Sequence, residues 1–308
     1  MTHPANRPIS SYIKIISINN KKIMKIWLTS IKNIANIENN YYENRREKHM
    51  NKEDIQKLII EFKKIARKKF IEGNYKGVGA IGLTFESELK KKHDSLYFPD
   101  YYGIEIKCTS RFSRYPISLF SLSFDGPTFP EINRLIEKYG YPDKTFKDKK
   151  ILFADLNFKK ETLVDNKYVF KLEIDKKEQK LYLVVRDLKS NEIEKKSFVY
   201  LDSIYDHLNL KLKKLAIIYG STKKEPNKVL FRYYKIKIYE LISKEKFLDL
   251  LINGTINVQL MARVHKSGDR KGKYRNKNLI FQLPKDDITK LFKEIYVCDY
   301  DANFEKYY

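Results

Sequence analysis

Between Pro99 and Ser110 the chain reads PDYYGIEIKCTS, and this stretch restricts the fold more than any other. Pro99-Asp100 and Gly103 punctuate a turn, and from Ile104 onward apolar and polar residues alternate. Alternation is the period of a half-buried strand, so Ile104 and Ile106 pack into a core while Glu105 and Lys107 project from the same opposite face. With Asp100 arriving from the turn, two hard carboxylate oxygens, waters and a phosphate oxygen can complete a Mg²⁺ shell. Such a metal polarises a phosphate and lowers the pKa of a bound water. Lys107, a point charge beside that water, can orient it and stabilise the negative charge that develops. Asp100, Glu105 and Lys107 are therefore the predicted catalytic set.

Glu-x-Lys by itself carries little weight in so charged a chain. It recurs at Glu61/Lys63, Glu88/Lys90, Glu178/Lys180 and Glu194/Lys196. Glu61 and Glu88 fall in helical frames, and Glu178 and Glu194 sit beside polar turns. Only Glu105 and Lys107 lie in an apolar alternating frame, for which the plain alternative is a solvated, charged strand face. Glu86 is the second candidate, shortly after the glycine-rich run GNYKGVGAIG, which reads as a loop, and at the start of a helix, LTFESELKKKHDS. It can bind metal through water or orient Lys107; the competing explanation is a helix-start Glu favoured by the macrodipole.

The chain of 308 residues holds 62 basic against 39 acidic side chains, a formal net charge of +23. An excess of that size favours an anionic polymer, because neutralising phosphates releases condensed counterions. The abundance of Lys, Ile, Asn and Tyr that an AT-rich genome produces is the competing explanation. Two cysteines, Cys108 and Cys298, are too few for a disulfide scaffold or a Cys-based zinc site. No apolar run approaches membrane-spanning length, and Ser11–Ile31 is broken by four lysines. The expectation is a cytoplasmic protein with no membrane partner.

Residues 1–49 show no clean period and read as a weakly ordered extension, or as sequence upstream of a true start at Met50. A helix follows, with Ile55, Leu58, Ile59, Phe62, Ile65 and Phe70 near one face. Helical and strand-like segments then mix: a helix near 135–139, a strand at 151–156 and a meander over 168–200. A helix is predicted at 204–210, strands near 215–219 and 229–239, and a helix at 243–254. The strands TINVQLMARVH and NLIFQL flank a basic loop, and a final helix is predicted over about 286–296. The class is α+β, with a catalytic lobe over 50–165 and a second lobe over 166–308.

GVGAIGLTFESEL followed by PDYYGIEIKCTSRFSRYPISLFS resembles the MvaI/BcnI group of type II restriction endonucleases, in the MutH-like branch of the PD-(D/E)XK nucleases. The similarity is best over about 75–125, with a weaker echo over 255–295. The run Gly79-x-x-Gly82-x-Thr84-x-Glu86 beside the catalytic motif is its most specific part. The resemblance implies a restriction-endonuclease-like core, a mixed β-sheet flanked by helices in a two-lobed DNA clamp. It implies Mg²⁺ as cofactor, double-stranded DNA as substrate, action as a monomer and a companion DNA methyltransferase. Lys107, Asp100, Glu105 and Glu86 form the expected catalytic set, and Asp100, Glu105 and Ile106 the expected metal set. Arg263, His265, Arg270, Lys273 and Arg275, in and beside the basic loop, are the expected DNA-binding residues. Arg263 or Arg275 can pair bidentately with guanine, and Lys266, Lys271 and Lys273 suit phosphate. A MutH-like repair nickase and a non-catalytic DNA-binding module are the alternatives.

Overall fold

The structure is a computed structural model that describes residues 52–75, 77, 79–90, 99–110 and 113–300. The extension 1–49, the start at Met50 and residues 91–95 of the expected LTFESELKKKHDS helix lie outside the described residues. The chain divides into two units at Lys57/Leu58, and the described residues lie almost entirely in the second. A helix, α1, covers 52–67, and within the second unit it buries Leu58, Ile59, Phe62, Ile65 and Ala66. That is the apolar stripe its 3.6-residue period requires. Phe70 lies beyond its end and is exposed.

The strand expected at IEIKCT is β2 (Glu105–Ser110). It ends a mixed sheet in the order β1 (Ile71–Glu72), β11 (Lys228–Leu241), β10 (Lys214–Glu225), β2, with β14 (Phe292–Asp299) also paired to β11. β2 and β10 run parallel, Leu215 opposite Glu105 and Gly220 opposite Ser110, and the other pairs are antiparallel. A second sheet runs β3 (Ile117–Leu122), β13 (Tyr274–Leu283), β12 (Asn257–Val264), β5 (Lys150–Leu156), β4 (Tyr141–Pro142). A third is the expected meander, β6 (Thr162–Val164), β7 (Tyr168–Asp175), β8 (Lys180–Asp187), β9 (Ile193–Tyr200).

The helices α2 (Ala80–Glu88), α3 (Glu131–Tyr139), α4 (Leu201–Lys211), α5 (Lys244–Ile252) and α6 (Ile288–Leu291) complete the α+β fold. One apolar cluster collects Leu119, Leu135, Phe170, Leu208, Phe247 and Phe281 from the second and third sheets and from α3, α4 and α5. Strands on both sides of residue 165 pair in both large sheets, β2 with β10 and β5 with β12. A cut of the chain at 165/166 would sever both.

Two expectations need correction. The glycine-rich run is not loop throughout: α2 begins at Ala80 and includes Gly82. Gly costs about 1 kcal/mol in a helix relative to Ala, and burying the Phe85 ring, worth about 1.5–3 kcal/mol, outweighs it. The final helix is short, because from Phe292 the chain becomes β14. The free edge of β11 needs partners for its main-chain groups, and that demand overrides a helical pattern.

Candidate active site

Among the described residues β2 is the last strand of its sheet, so one edge of it faces away from β10. An edge strand carries N–H and C=O groups that its own sheet leaves unpaired. Asp100 takes one of them: its Oδ2 accepts the Ile106 N–H at 2.9 Å. A two-residue hairpin makes this possible. Tyr101 and Ile104 exchange main-chain hydrogen bonds of 3.0 and 2.9 Å, and Tyr102 and Gly103 take φ of 43° and 78°. Positive φ at both central positions is what a type I′ turn demands. Gly103 thereby returns the chain along the strand and sets Asp100 at its edge.

Glu105 is 1 % exposed. Its Oε1 accepts from Lys107 Nζ at 2.5 Å and lies 3.6 Å from Lys211 Nζ, at the end of α4. Its Oε2 is buried with no hydrogen-bond partner among the described residues. Burial raises the pKa of this carboxyl; Lys107 opposes the rise, Asp100 adds to it and Lys211 opposes it, and the net direction is upward. A buried acceptor without a donor costs about 1–3 kcal/mol, and a hard cation at the strand edge would relieve it.

The donor set fits such a cation. Among the described residues no group of three or more His, Cys, Asp or Glu is placed to hold a metal. Two carboxylates are nevertheless enough for Mg²⁺, which keeps several waters and takes substrate phosphate oxygens. The Ile106 side chain is a hydrocarbon packed in the core and offers no donor atom, so Ile106 can serve a metal only through its main-chain oxygen. In an extended strand a residue's N–H and C=O leave the same edge, and the N–H bond to Asp100 puts that oxygen on the free edge.

Glu86 lies in the last turn of α2, not at a helix start, so the macrodipole gives no reason for a carboxylate there. Burial, then Glu86 and Asp100, push the Cys108 thiol well above its usual range. Alternation puts Cys108 on the face of β2 opposite Glu105 and Lys107. Glu86, Asp100 and Lys107 all act on the Cys108 thiol, and Asp100 and Lys107 act on Glu105 as well. A cavity of about 850 Å³ lies against Lys107, Cys108 and Ser110, lined also by Tyr75, Tyr115 and Lys224. Lys224 is exposed at the end of β10 and forms no ion pair among the described residues.

The basic loop is the tip of the β12–β13 hairpin. Arg263 faces Arg275 across the ladder, and His265 N donates to Lys273 O at 2.9 Å at the neck. Arg263, Arg270, Lys273 and Arg275 are exposed and His265 is half-buried. Lys266, expected at phosphate, is paired with Asp143, and this hydrogen bond holds the Asp143 carboxyl pKa at about 2. Arg263 stacks on the Phe153 ring, 3.6 Å from its centroid. The hairpin belongs to the second sheet and Glu105 to the first. Lys211 was not foreseen: one lysine in a charged helix carries no local signal, and only the packing of α4 brings it to Glu105.

The family model for the MvaI/BcnI restriction endonucleases matches residues 59–292. A solved structure of restriction endonuclease MvaI with its cognate DNA substrate is similar at a TM-score of 0.71 and 26 % identity, covering 79 % of this chain and 97 % of that one. MvaI in the absence of DNA is similar at a TM-score of 0.48 and 25 % identity, covering 80 % and 97 %. No curated protein matches. With the family model spanning most of its length and carrying β2 in its matched part, the chain belongs to the MvaI/BcnI restriction endonuclease family and is a type II restriction endonuclease, a site-specific deoxyribonuclease.

Proposed function

We propose that the protein hydrolyses phosphodiester bonds at a short specific site in double-stranded DNA, with Mg²⁺ held by Asp100, Glu105 and the main-chain oxygen of Ile106. The observation that carries this is the buried Oε2 of Glu105, without a hydrogen-bond partner among the described residues, beside Lys107 on an edge that no described strand covers. The family generally uses divalent metal ions, and the DNA in the similar MvaI structure supports a duplex substrate. Mg²⁺, when bound, supplies positive charge to the scissile phosphate and acidifies a coordinated water. Lys107 orients the attacking water and balances charge at phosphorus as the P–O bond to the leaving oxygen breaks. Asp100 stays at the edge through the Ile106 N–H, and Glu86 supports the strand from the Cys108 side. Arg263, His265, Arg270, Lys273 and Arg275 contact the duplex, so the first sheet cuts and the hairpin of the second reads. The protein works in the cytoplasm as a monomer beside a methyltransferase that protects the host's own sites.

A plasmid digest with and without Mg²⁺, beside the Lys107→Ala variant, tests this. Discrete double-strand fragments that require both metal and Lys107 are expected, with DNA binding retained in the variant. Full-rate cleavage by Lys107→Ala would overturn the assignment. Stable nicks alone would indicate a repair nickase, and metal-independent binding without any cleavage a DNA-binding module.

A further inference from the structure

We propose that Arg263 reads a base edge and that Phe153 is its positioning residue, a flat platform that fixes the plane of the guanidinium before DNA arrives. The inference rests on the reading that the β12–β13 hairpin meets DNA, and it selects one residue among the hairpin's cations.

β5 pairs antiparallel with β12, Phe153 opposite Met261 and Leu152 opposite Ala262. Arg263, two residues beyond Met261, shares the face of Phe153 as its diagonal neighbour, within reach of long side chains. Leu152 and Ala262 point the other way into the apolar core, so the face with Phe153 and Arg263 is the sheet's open side. There the Arg263 guanidinium carbon lies over the Phe153 ring, 3.6 Å from its centroid, a distance that suits stacking on its face. No carboxylate pairs with Arg263 among the described residues. Its charge is felt instead by Tyr141 of β4, whose phenol burial raises and Arg263 pulls down.

The neighbouring cations differ. Lys266 is tied to Asp143. Arg270 and Arg275 are exposed, and among the described residues no ring lies over either. Stacking uses the face of a guanidinium and leaves its edge of N–H donors free. An edge whose orientation is already fixed loses less freedom on binding, and a rigid fork matches guanine O6 and N7. Phosphate accepts the same donors, but a phosphate contact holds all sequences alike and needs no fixed plane.

The test starts from the site obtained by end-sequencing plasmid fragments cut by the wild-type protein. The probes are a duplex carrying that site and copies with each G·C pair changed in turn to A·T. Dissociation constants come from fluorescence anisotropy and kcat/KM from cleavage. Arg263→Ala and Arg263→Lys should each lose roughly tenfold to hundredfold discrimination at one base pair, leaving the other positions selective. Phe153→Leu should lose about threefold to thirtyfold at the same pair, and Phe153→Tyr should restore it. Unchanged site preference in Arg263→Ala would sink the reading of this hairpin residue as a base contact. Relaxation in Arg263→Ala with wild-type discrimination in Phe153→Leu would overturn the platform alone. Equal weakening on every duplex in Phe153→Leu would show a merely structural ring and also overturn it. Should Phe153→Leu fail to fold, Arg263→Lys still decides, because a retained charge without a planar fork must then discriminate poorly.

Discussion

One oxygen of Glu105 is approached by two ammonium groups, and its other oxygen by no hydrogen-bond donor among the described residues. A carboxylate so buried stays charged only if cations compensate the lost hydration. Lys107 is two residues away, but Lys211 reaches Glu105 through the packing of α4. Replacing Lys211 by Ala leaves Lys107 as the only ammonium beside a carboxylate whose burial already raises its pKa. Lys211→Ala should lower metal-free stability by about 1 kcal/mol, and Lys211→Arg should restore most of it. Urea unfolding in the presence of a chelator at neutral pH checks this; a variant as stable as the wild type would mean that the pair contributes nothing.

At the scale of the element, the turn Tyr101–Ile104 links the two carboxylates. Gly103 sits at φ 78°, and a Cβ built there meets no atom within 4 Å, so the demand on it is conformational and not one of space. Gly103→Ala should destabilise by about 1–2 kcal/mol, while Gly103→Asn, which tolerates the left-handed region, should cost less. Because the same turn places Asp100 against the Ile106 N–H, cleavage should fall further in Gly103→Ala than its stability loss explains. Parallel melts and digests of the two variants measure that gap; activity tracking folded fraction alone would show that the turn does not position Asp100. The alternating run that made β2 legible did so because its period is local. β14 was misread as helix because its strand state depends on the open edge of β11, which no window of sequence contains.

At the scale of the molecule, a polar network ties α3 to the third sheet. Buried Glu131 accepts from Arg134 Nη2 at 2.6 Å and from Ser197 Oγ at 2.6 Å, and Arg134 and Lys138 reach Glu194 of β9 at 2.8 and 2.6 Å. Burial would raise the Glu194 pKa, but Lys138 and Arg134 overcome it and bring it from 4.5 to about 2. A depressed carboxyl pKa contributes stability that is complete above the ordinary value and is lost as pH falls through the folded value. Glu194→Gln should therefore cost about 2 kcal/mol at neutral pH, and its deficit should shrink as pH falls from 4.5 toward 2. Urea midpoints across that range would show it, and a pH-independent deficit would contradict the ion-pair account.

The sequence by itself determined the strand that carries Glu105 and Lys107, the turn residues before it, the meander over 168–200 and the paired strands around the basic loop. Each is written in a period or a turn signal only a few residues long. Only the tertiary structure decided that β2 is an edge strand beside β10, that Lys211 approaches Glu105, that Glu86 sits in the last turn of α2 within electrostatic reach of Cys108, and that Arg263 lies on Phe153. Those facts depend on which distant segments pair and pack, and burial and hydrogen-bond demand across the whole molecule settle that, not local propensity.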